Sequence, residues 1–395
     1  MESEISPKKE KITMKILIVR TFPSIINPNQ YNVQEIGLAK ALTRAGHTCG
    51  IILYYGKNKD TIEKIYVSCG RENRVITVYR LRGYNILKNG FFPSLKKIVK
   101  EYDVIQVHEY DQITSWFYYA WSKKPVVIYH GPYYHSFNKG YNLKCKIFDN
   151  TFLKMRHNPR VVCLTKSHLA EKFLRDKGFN NVDAVGVGVD TDNFLRKDGG
   201  TEPDIDVSKG FFNLLYVGKI EERRNSFFLL EMMEDICQRH EGINCIIIGN
   251  GEPQYTSQFL EKAQKLIDAG RLQYYAEATQ KQLAQVYKNV QLMLFPSHYE
   301  IFGMVLVEAV YFGLPVISTP NGGADMLIQN EKNGWILTDE NVKEWSRLIE
   351  RIYLDHKLYN SICTELTSAE NTSIYWDDLV EKFIEGYNKA IEGKK

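Results

Sequence analysis

The sequence predicts an α/β protein built from two parallel-sheet domains, and three observations carry that prediction. Short apolar runs of strand-forming residues alternate with helical patterns along the chain, as parallel construction requires. That rhythm breaks once, in the Asp-, Gly- and Lys-rich stretch 190–210, and then restarts. A length of 395 residues suits about two domains of ordinary size, each able to bury its own core.

The elements follow in order. The polar start MESEISPKKEKIT has no apolar signal-peptide core and reads as a disordered tail over residues 1–13. KILIVR (15–20) is the first expected strand, and the helical pattern QEIGLAKALTRAG follows it, closed by Gly46. CGIILYY (49–55), ITVYRL, DVIQVH and PVVIYH continue the strands. RVVCLT (160–165) leads into the helix SHLAEKFLRDKG, and VDAVGVG is a further short strand. These assignments place a first domain over 14–190 and a linker over 191–210. The second domain, 211–372, repeats the pattern with FFNLLYVG, CIIIGNG, LQYYAEA, LMLFPS and PVISTP. An amphipathic helix, WDDLVEKFIEGYNKAIEG, falls in the closing segment 373–395 and is expected to return toward the first domain.

Composition removes several classes of protein. At 44% hydrophobic and 25% charged residues, the chain is neither disordered, collagenous nor a coiled coil. Its apolar runs are too short to cross a bilayer. Seven cysteines, with no C-x-x-C pair and several inside apolar runs, are no disulfide framework and suit a reducing cytosol. The formal net charge of +4 conceals an asymmetry. Residues 1–200 carry 32 basic and 18 acidic side chains, and residues 201–395 carry 19 and 29. One half is therefore suited to an anionic partner; the alternative is lysines that merely solvate it.

Ligands of open parallel sheets bind beyond the carboxyl ends of the strands. The most informative such segment is QLMLFPSHYEIFGMVLVEAVYFGLPVISTPNGGADMLI (291–328). A buried strand ends at Pro296, a loop carries Glu300, and a helix is expected from Met304 with Glu308 in its second turn. Gly303 allows close backbone approach, and the amides of Phe302, Gly303 and Met304 would face the positive end of that helix, where phosphate or sugar oxygens fit. The Glu300–Glu308 spacing alone carries no information, because Glu2/Glu10 and Glu101/Glu109 share it.

This segment resembles the nucleotide-sugar site of GT-B retaining glycosyltransferases, specifically glycosyltransferase family 4. The matching residues are Pro296-Ser297, Glu300, Phe302-Gly303, Glu308-Ala309, Gly313-Leu314-Pro315-Val316 and Gly322-Gly323. A second match runs from Val217-Gly218-Lys219 to Arg224-Asn225, where the family has Arg in place of Lys219, Lys in place of Arg224 and Gly in place of Asn225. Leu38-Ala39, Gly46-His47, Leu164-Thr165-Lys166-Ser167, Gly188-Val189-Asp190, Phe194 and Ile248-Gly249-Asn250-Gly251 extend the likeness over nearly the whole chain. The family's Gly-Gly after the first strand is replaced by Asn29-Gln30.

The resemblance implies two Rossmann-like domains facing each other across a deep cleft. It implies His130 and Glu300 as catalytic residues, with Glu300 on donor sugar hydroxyls. Donor binding would involve Gly218, Lys219, Arg224, Asn250, Ala276, Ile301, Phe302, Gly303, Met304, Val305 and Glu308. Lys219 and Arg224 would hold the diphosphate and Glu308 the ribose hydroxyls. Asn29, Gln30, Tyr31 and His108 are candidates for the acceptor side. His130 and His108 each follow a strand, and the plain alternative is a capped loop residue. The resemblance implies front-face attack with the leaving phosphate taking the acceptor proton, so no covalent nucleophile is implied.

No metal or cofactor is expected. The pairs Asp190/Asp192 and Asp204/Asp206 have a spacing that holds divalent cations elsewhere, but they lie in or beside the linker and read as structural. The basic segments 85–100 and 137–160 interleave lysines with aromatics. They suit an anionic membrane surface, or are two amphipathic helices with solvated faces. No nucleic-acid motif accompanies the charge, so none is expected as partner.

The expected protein is thus a cytoplasmic enzyme, peripheral on the inner face of the cell membrane. It would transfer sugar from a UDP- or GDP-linked donor to a glycan or lipid-linked acceptor in envelope or surface polysaccharide synthesis. The alternatives are a catalytically silent nucleotide-sugar-binding subunit and a GT-B epimerase or phosphorylase.

Overall fold

Strand β1 (Lys15–Val19) buries every residue after Lys15, which is why an uninterrupted Ile-Leu-Ile-Val run is tolerated there. The computed structural model describes residues 13–27, 33–190, 205–368 and 374–393. Its contacts divide the chain into two units. One comprises Met1–Tyr129, Arg156–Val162 and Val380–Lys395; the other comprises His130–Met155 and Cys163–Leu379.

In the first unit, β1 lies parallel to β2 (Thr48–Tyr54), with Lys15 opposite Thr48 and Val19 opposite Ile52. The long β3 (Thr61–Cys69) and β4 (Glu72–Leu81) form an antiparallel pair that adds to β2 through β4. β5 (Tyr84–Ile86) and β6 (Asn89–Phe91) form a separate small hairpin. On the other side of β1 come β7 (Val104–His108) and then β8 (Val126–His130), both parallel. The order is therefore β8-β7-β1-β2-β4-β3.

Two features differ from the sequence expectation. β3 is an antiparallel edge strand in which Val67 alone is buried; Ile62 and Tyr66 are exposed, so its apolar residues give no core signal. The segment 85–100 is not one amphipathic helix; it holds part of the hairpin and a four-residue helix, Leu95–Ile98.

The C-terminal helix Trp376–Glu392 joins this unit from Val380 onward. Phe383 meets the Tyr129 ring edge-on at 5.4 Å, and the Tyr387 hydroxyl donates to Gln106 Oε1 at 2.7 Å. Both helix side chains are fully buried.

The second unit holds the neighbouring strands β9 (Val162–Thr165) and β10 (Asn181–Ala184). Between them in sequence runs the helix His168–Arg175, capped by the Ser167 side chain. It also holds a six-stranded, entirely parallel sheet, with strands β11 (Phe212–Val217), β12 (Ile243–Ile248), β13 (Leu272–Tyr275), β14 (Leu292–Phe295), β15 (Val316–Ser318) and β16 (Trp335–Ile336). The order is β13-β12-β11-β14-β15-β16. All six residues of β12 and all four of β14 are buried, as a sheet covered by helices on both faces demands. No disulfide joins any of the seven cysteines, and four of them are buried. Among the described residues, no helix is long and apolar enough to cross a membrane.

Candidate active site

The strand order of the second sheet reverses direction between β11 and β14, which pair directly, Leu214 opposite Leu292 and Leu215 opposite Met293. A parallel sheet opens a crevice at such a reversal, beyond the carboxyl ends of its strands. The loops that emerge there are 218–225 after β11, 249–252 after β12 and 296–303 after β14. They contain Glu300 and most of the donor-binding residues that the sequence nominated.

Where the first two loops meet, the Ile220 amide donates to the Asn250 carbonyl at 3.0 Å. A pocket of about 340 Å³ opens beside this contact, lined by Lys219, Ile220, Glu221, Asn250, Gly251, Glu252 and Tyr255. Lys219 and Asn250, nominated separately, thus share one cavity. Lys219 is exposed, and its backbone is fixed by the buried Tyr216 hydroxyl, which donates to the Lys219 carbonyl at 2.7 Å. Burial pushes the Tyr216 pKa well up, so the hydroxyl remains a donor. Gly218 sits at the end of β11, where its amide donates to Ile248 at 3.0 Å. Ala276 is exposed just beyond β13 at the same edge of the sheet.

The loops after β11 and β14 meet through charge. Arg224 Nη1 pairs closely with Glu300 Oε2, and Arg223 Nη1 lies 3.5 Å from the same oxygen. Arg223 also donates to the Tyr299 carbonyl at 2.9 Å and to Glu221 at 2.7 Å. The side chains of Arg224 and Glu300 are only 16% and 13% exposed, so water screens this pair little. Glu300 Oε1 accepts from the Ile301 amide at 3.2 Å. The guanidinium of Arg224 lies over the Phe295 ring, 5.5 Å from its centre.

After Glu300 the chain turns sharply into the helix Met304–Tyr311. Gly303 makes the turn with φ +81°, and a β-carbon there would lie 3.0 Å from Phe295. Ile301, Phe302, Met304 and Val305 flank it. Glu308 is 3% exposed in the second turn of the helix, where the Tyr287 hydroxyl donates to its Oε2 at 2.8 Å. The Gly322-Gly323 pair supports the loop from behind. A β-carbon on Gly323 would lie 1.6 Å from the Phe302 carbonyl oxygen, so only a bare backbone can back the loop this closely. Asn321 Oδ1 caps the helix that starts there by accepting from the Gly323 and Ala324 amides, each at 3.1 Å.

The segment after β8 belongs to the same unit. The His130 ring is fully buried and stacks on Phe173 at 5.4 Å, and the His130 carbonyl accepts from the Lys166 amide at 2.9 Å. A β-carbon on the next residue, Gly131, would lie 2.8 Å from Ile301. The Tyr133 hydroxyl donates to the Glu300 carbonyl at 2.8 Å. Burial holds the Tyr133 pKa well above its ordinary value. The segment bearing His130 and the loop bearing Glu300 are therefore in contact.

His108 lies in the first unit, 6% exposed at the end of β7, with Nδ1 3.3 Å from Glu35 Oε1. Arg20 Nη1 is 2.8 Å from the same oxygen. Burial acts to raise the Glu35 pKa, but the Arg20 and His108 charges outweigh it and bring the carboxyl to about 2. His108 is thus part of a buried ionic cluster. The other acceptor-side candidates, Asn29, Gln30 and Tyr31, lie outside the described residues, as do Asp192 and Asp204 of the Asp-x-Asp pairs.

Sequence reasoning passed over Arg223, Tyr133 and Tyr287. Arg223 adjoins a nominated arginine and could have been read with it. The two tyrosines act from distant segments, and no local spacing announces them.

Two family models match, one described as Glycosyl transferases group 1 over residues 203–365 and one as Glycosyltransferase Family 4 over residues 36–193. The chain belongs to the family 4, group 1 glycosyltransferases. A D-inositol 3-phosphate glycosyltransferase of Rhodococcus erythropolis is 24% identical over 216 residues, 53% of this chain and 48% of that relative. A probable sucrose-phosphate synthase of Thermosipho melanesiensis is 29% identical over 180 residues, 43% of this chain and 41% of the relative. The chain thus matches about half the length of these relatives or less. Among solved structures, the sucrose-phosphate synthase of Thermosynechococcus elongatus aligns with TM-score 0.70 at 15% identity, over 96% of this chain and all of that one. Anabaena Alr3699/HepE in complex with UDP aligns with TM-score 0.67 at 14% identity, over 95% of this chain and all of the other. The fold is GT-B.

One departure from the family pattern has a structural explanation. Asn225 stands where the family has glycine, and its backbone is left-handed, φ 54° and ψ 41°. Asparagine is among the non-glycine residues that adopt this conformation most readily. The entry into the helix Ser226–Cys237 is therefore preserved without glycine.

Proposed function

We propose that this chain is a retaining, metal-independent glycosyltransferase that takes sugar from a nucleotide-diphosphate donor. The observation that carries the reading is the Arg224–Glu300 pair at the reversal point of the second sheet, next to the Gly303 turn and the buried Glu308. A leaving diphosphate gathers negative charge as its bond to the anomeric carbon breaks. Arg224 and Lys219, with Arg223 beside them, would neutralise that charge from fixed positions. Glu300 would accept hydrogen bonds from sugar hydroxyls and Glu308 from the ribose diol, both suited to acceptor-only carboxylates. The amides of Phe302, Gly303 and Met304 would meet the phosphates at the helix start.

In the transfer itself, the anomeric C–O bond to the diphosphate breaks and a C–O bond to the acceptor hydroxyl forms on the same face. The acceptor proton passes to the departing phosphate oxygen, so no protein general base is required, and attack on the same face needs no protein nucleophile. UDP is the first nucleotide to test, since solved relatives of this fold were crystallised with UDP and UDP-glucose. The acceptor we propose is a glycan or a lipid-linked glycan used in envelope or surface polysaccharide synthesis on the cytoplasmic side of the membrane.

The test offers UDP- and GDP-sugars in the presence of EDTA and follows nucleotide release, with NMR of the product's anomeric configuration. Release with at least one donor, retention of configuration and loss of turnover in Glu300→Ala support the proposal. If no donor releases nucleotide while Glu300→Ala binds nucleotide as the unaltered protein does, the chain is instead a silent binding subunit.

A further inference from the structure

The β5–β6 hairpin turns through Leu87 and Lys88, since Ile86 pairs with Asn89 across it. Both turn residues have positive φ, 51° and 61°. Two-residue turns of this kind strongly favour Asn-Gly, because a left-handed backbone strains residues with larger side chains. Here the strained position holds a leucine that is 86% exposed, and Ile86 beside it is 53% exposed. Local strain persists only where surrounding structure holds it, and Asn89 supplies that hold. Its Nδ2 donates to the Leu87 carbonyl at 2.9 Å and the Ile86 carbonyl at 3.3 Å, while its Oδ1 accepts from the Ile113 amide at 2.8 Å. The Thr114 hydroxyl donates to the Gly90 carbonyl at 2.6 Å. The hairpin is thereby fixed to the start of the helix Ile113–Trp121, ITSWFYYAW.

That helix presents Phe117 and Trp121, 58% and 49% exposed. Between helix and hairpin lies a predominantly apolar cavity of about 370 Å³, whose lining includes Phe91, Phe92, Pro93, Trp116, Phe117 and Lys96. Basic side chains predominate around this surface, where Asp60 accepts from the Arg82 amide and the Ser94 hydroxyl, each at 2.6 Å. Residues 82–100 contain Arg82, Lys88, Lys96, Lys97 and Lys100 and no acidic residue, and Lys123 and Lys124 follow the helix. The Arg156 guanidinium lies over the Trp121 ring at 4.2 Å.

We propose that this face of the first unit docks onto an anionic lipid bilayer, with Leu87 and Ile86 entering the acyl region and Phe117 and Trp121 at its boundary. The lysines meet the lipid phosphates, and the cavity accepts part of a hydrocarbon chain. Exposed leucine on a strained, anchored tip, an aromatic rim and an excess of cationic charge are together the chemistry of an interfacial membrane contact. A protein partner would need an acidic face, and nothing about the cavity or the leucine calls for one. The inference does not rest on the proposed donor chemistry, because it concerns lipid binding by the first unit alone.

The test sediments the full chain with phosphatidylglycerol-containing vesicles and with pure phosphatidylcholine vesicles, at low and high salt and without donor. The expected result is pelleting with the anionic vesicles only, weakening as salt rises. Leu87→Asn keeps a residue suited to the turn and should partition roughly 10-fold less, with an unchanged thermal midpoint. Phe117→Ser should lose binding similarly, and Trp121 fluorescence should be quenched by brominated lipid. Absence of pelleting with anionic vesicles overturns the proposal, as does unchanged binding in both variants.

Discussion

Replacing Glu300 by glutamine removes one charge from a place whose backbone is already fixed. The Glu300 carbonyl keeps the Tyr133 hydroxyl at 2.8 Å and the Gly322 amide at 3.3 Å, whatever the side chain carries. The change falls on the carboxylate, which pairs with Arg224, lies 3.5 Å from Arg223 and accepts from Ile301. Turning charge-assisted hydrogen bonds into neutral ones costs about 1 kcal/mol in a poorly screened site. For a protein of this size that corresponds to a fall of roughly 2 °C in thermal midpoint. The functional cost should be larger. If the carboxylate both orients the arginines and holds donor hydroxyls, kcat falls ~100-fold, about 2.7 kcal/mol of transition-state stabilisation. Nucleotide affinity by calorimetry should change little, because Lys219 and Glu308 are untouched. A Glu300→Gln protein with full turnover would refute the reasoning. So would a collapse in thermal midpoint with intact kinetics per folded molecule, which would make Glu300 a structural strut.

Tyr287→Phe removes the hydroxyl donated to Glu308 at 2.8 Å inside the core; nucleotide Kd should rise ~10-fold, about 1.4 kcal/mol, by titration calorimetry. Gly323→Ala forces a methyl against the Phe302 carbonyl, so the loop from Glu300 to Gly303 must shift. A stability loss of about 3 kcal/mol in urea unfolding and lost donor binding are expected. The Glu35 carboxyl titrates near 2 when folded against 4.5 as an ordinary glutamate. Its contribution to stability is present above about pH 4.5 and is lost as the pH falls toward 2, because the unfolded chain takes up the proton first. Urea midpoints between pH 5 and pH 3 should fall less steeply in Glu35→Gln than in the unaltered protein.

Most of the parallel framework could be read from the sequence because buried parallel strands are continuous apolar runs, as in CIII of β12 and LMLF of β14. The edge strand β3 was not legible, since a strand that buries only Val67 is held by backbone pairing to β4 rather than by its own pattern. The hairpin at Leu87 escaped for a related reason: its turn lacks the Asn-Gly that usually marks one. In the candidate site, Glu300, Gly303 and Glu308 stand close in sequence on one strand–loop–helix unit, so their placement follows from local geometry. Arg224 reaches Glu300 from 76 residues upstream, and only the adjacency of β11 and β14 brings the two together. Tyr133 is more remote still, 167 residues from Glu300. Its role depends on contacts between segments that no spacing rule could anticipate.

The C-terminal helix has a further consequence for how the chain is made. Phe383 and Tyr387 fill the core of a unit whose other residues are mostly among the first 129. During synthesis from the amino end, β7 and β8 emerge long before the ring that covers Tyr129 or the hydroxyl that reaches Gln106. The first unit therefore leaves the ribosome with an unfilled seat, and the second can close before the first is complete. A nascent chain stalled shortly before residue 380 should bind a chaperone through that seat and release it once the last helix emerges.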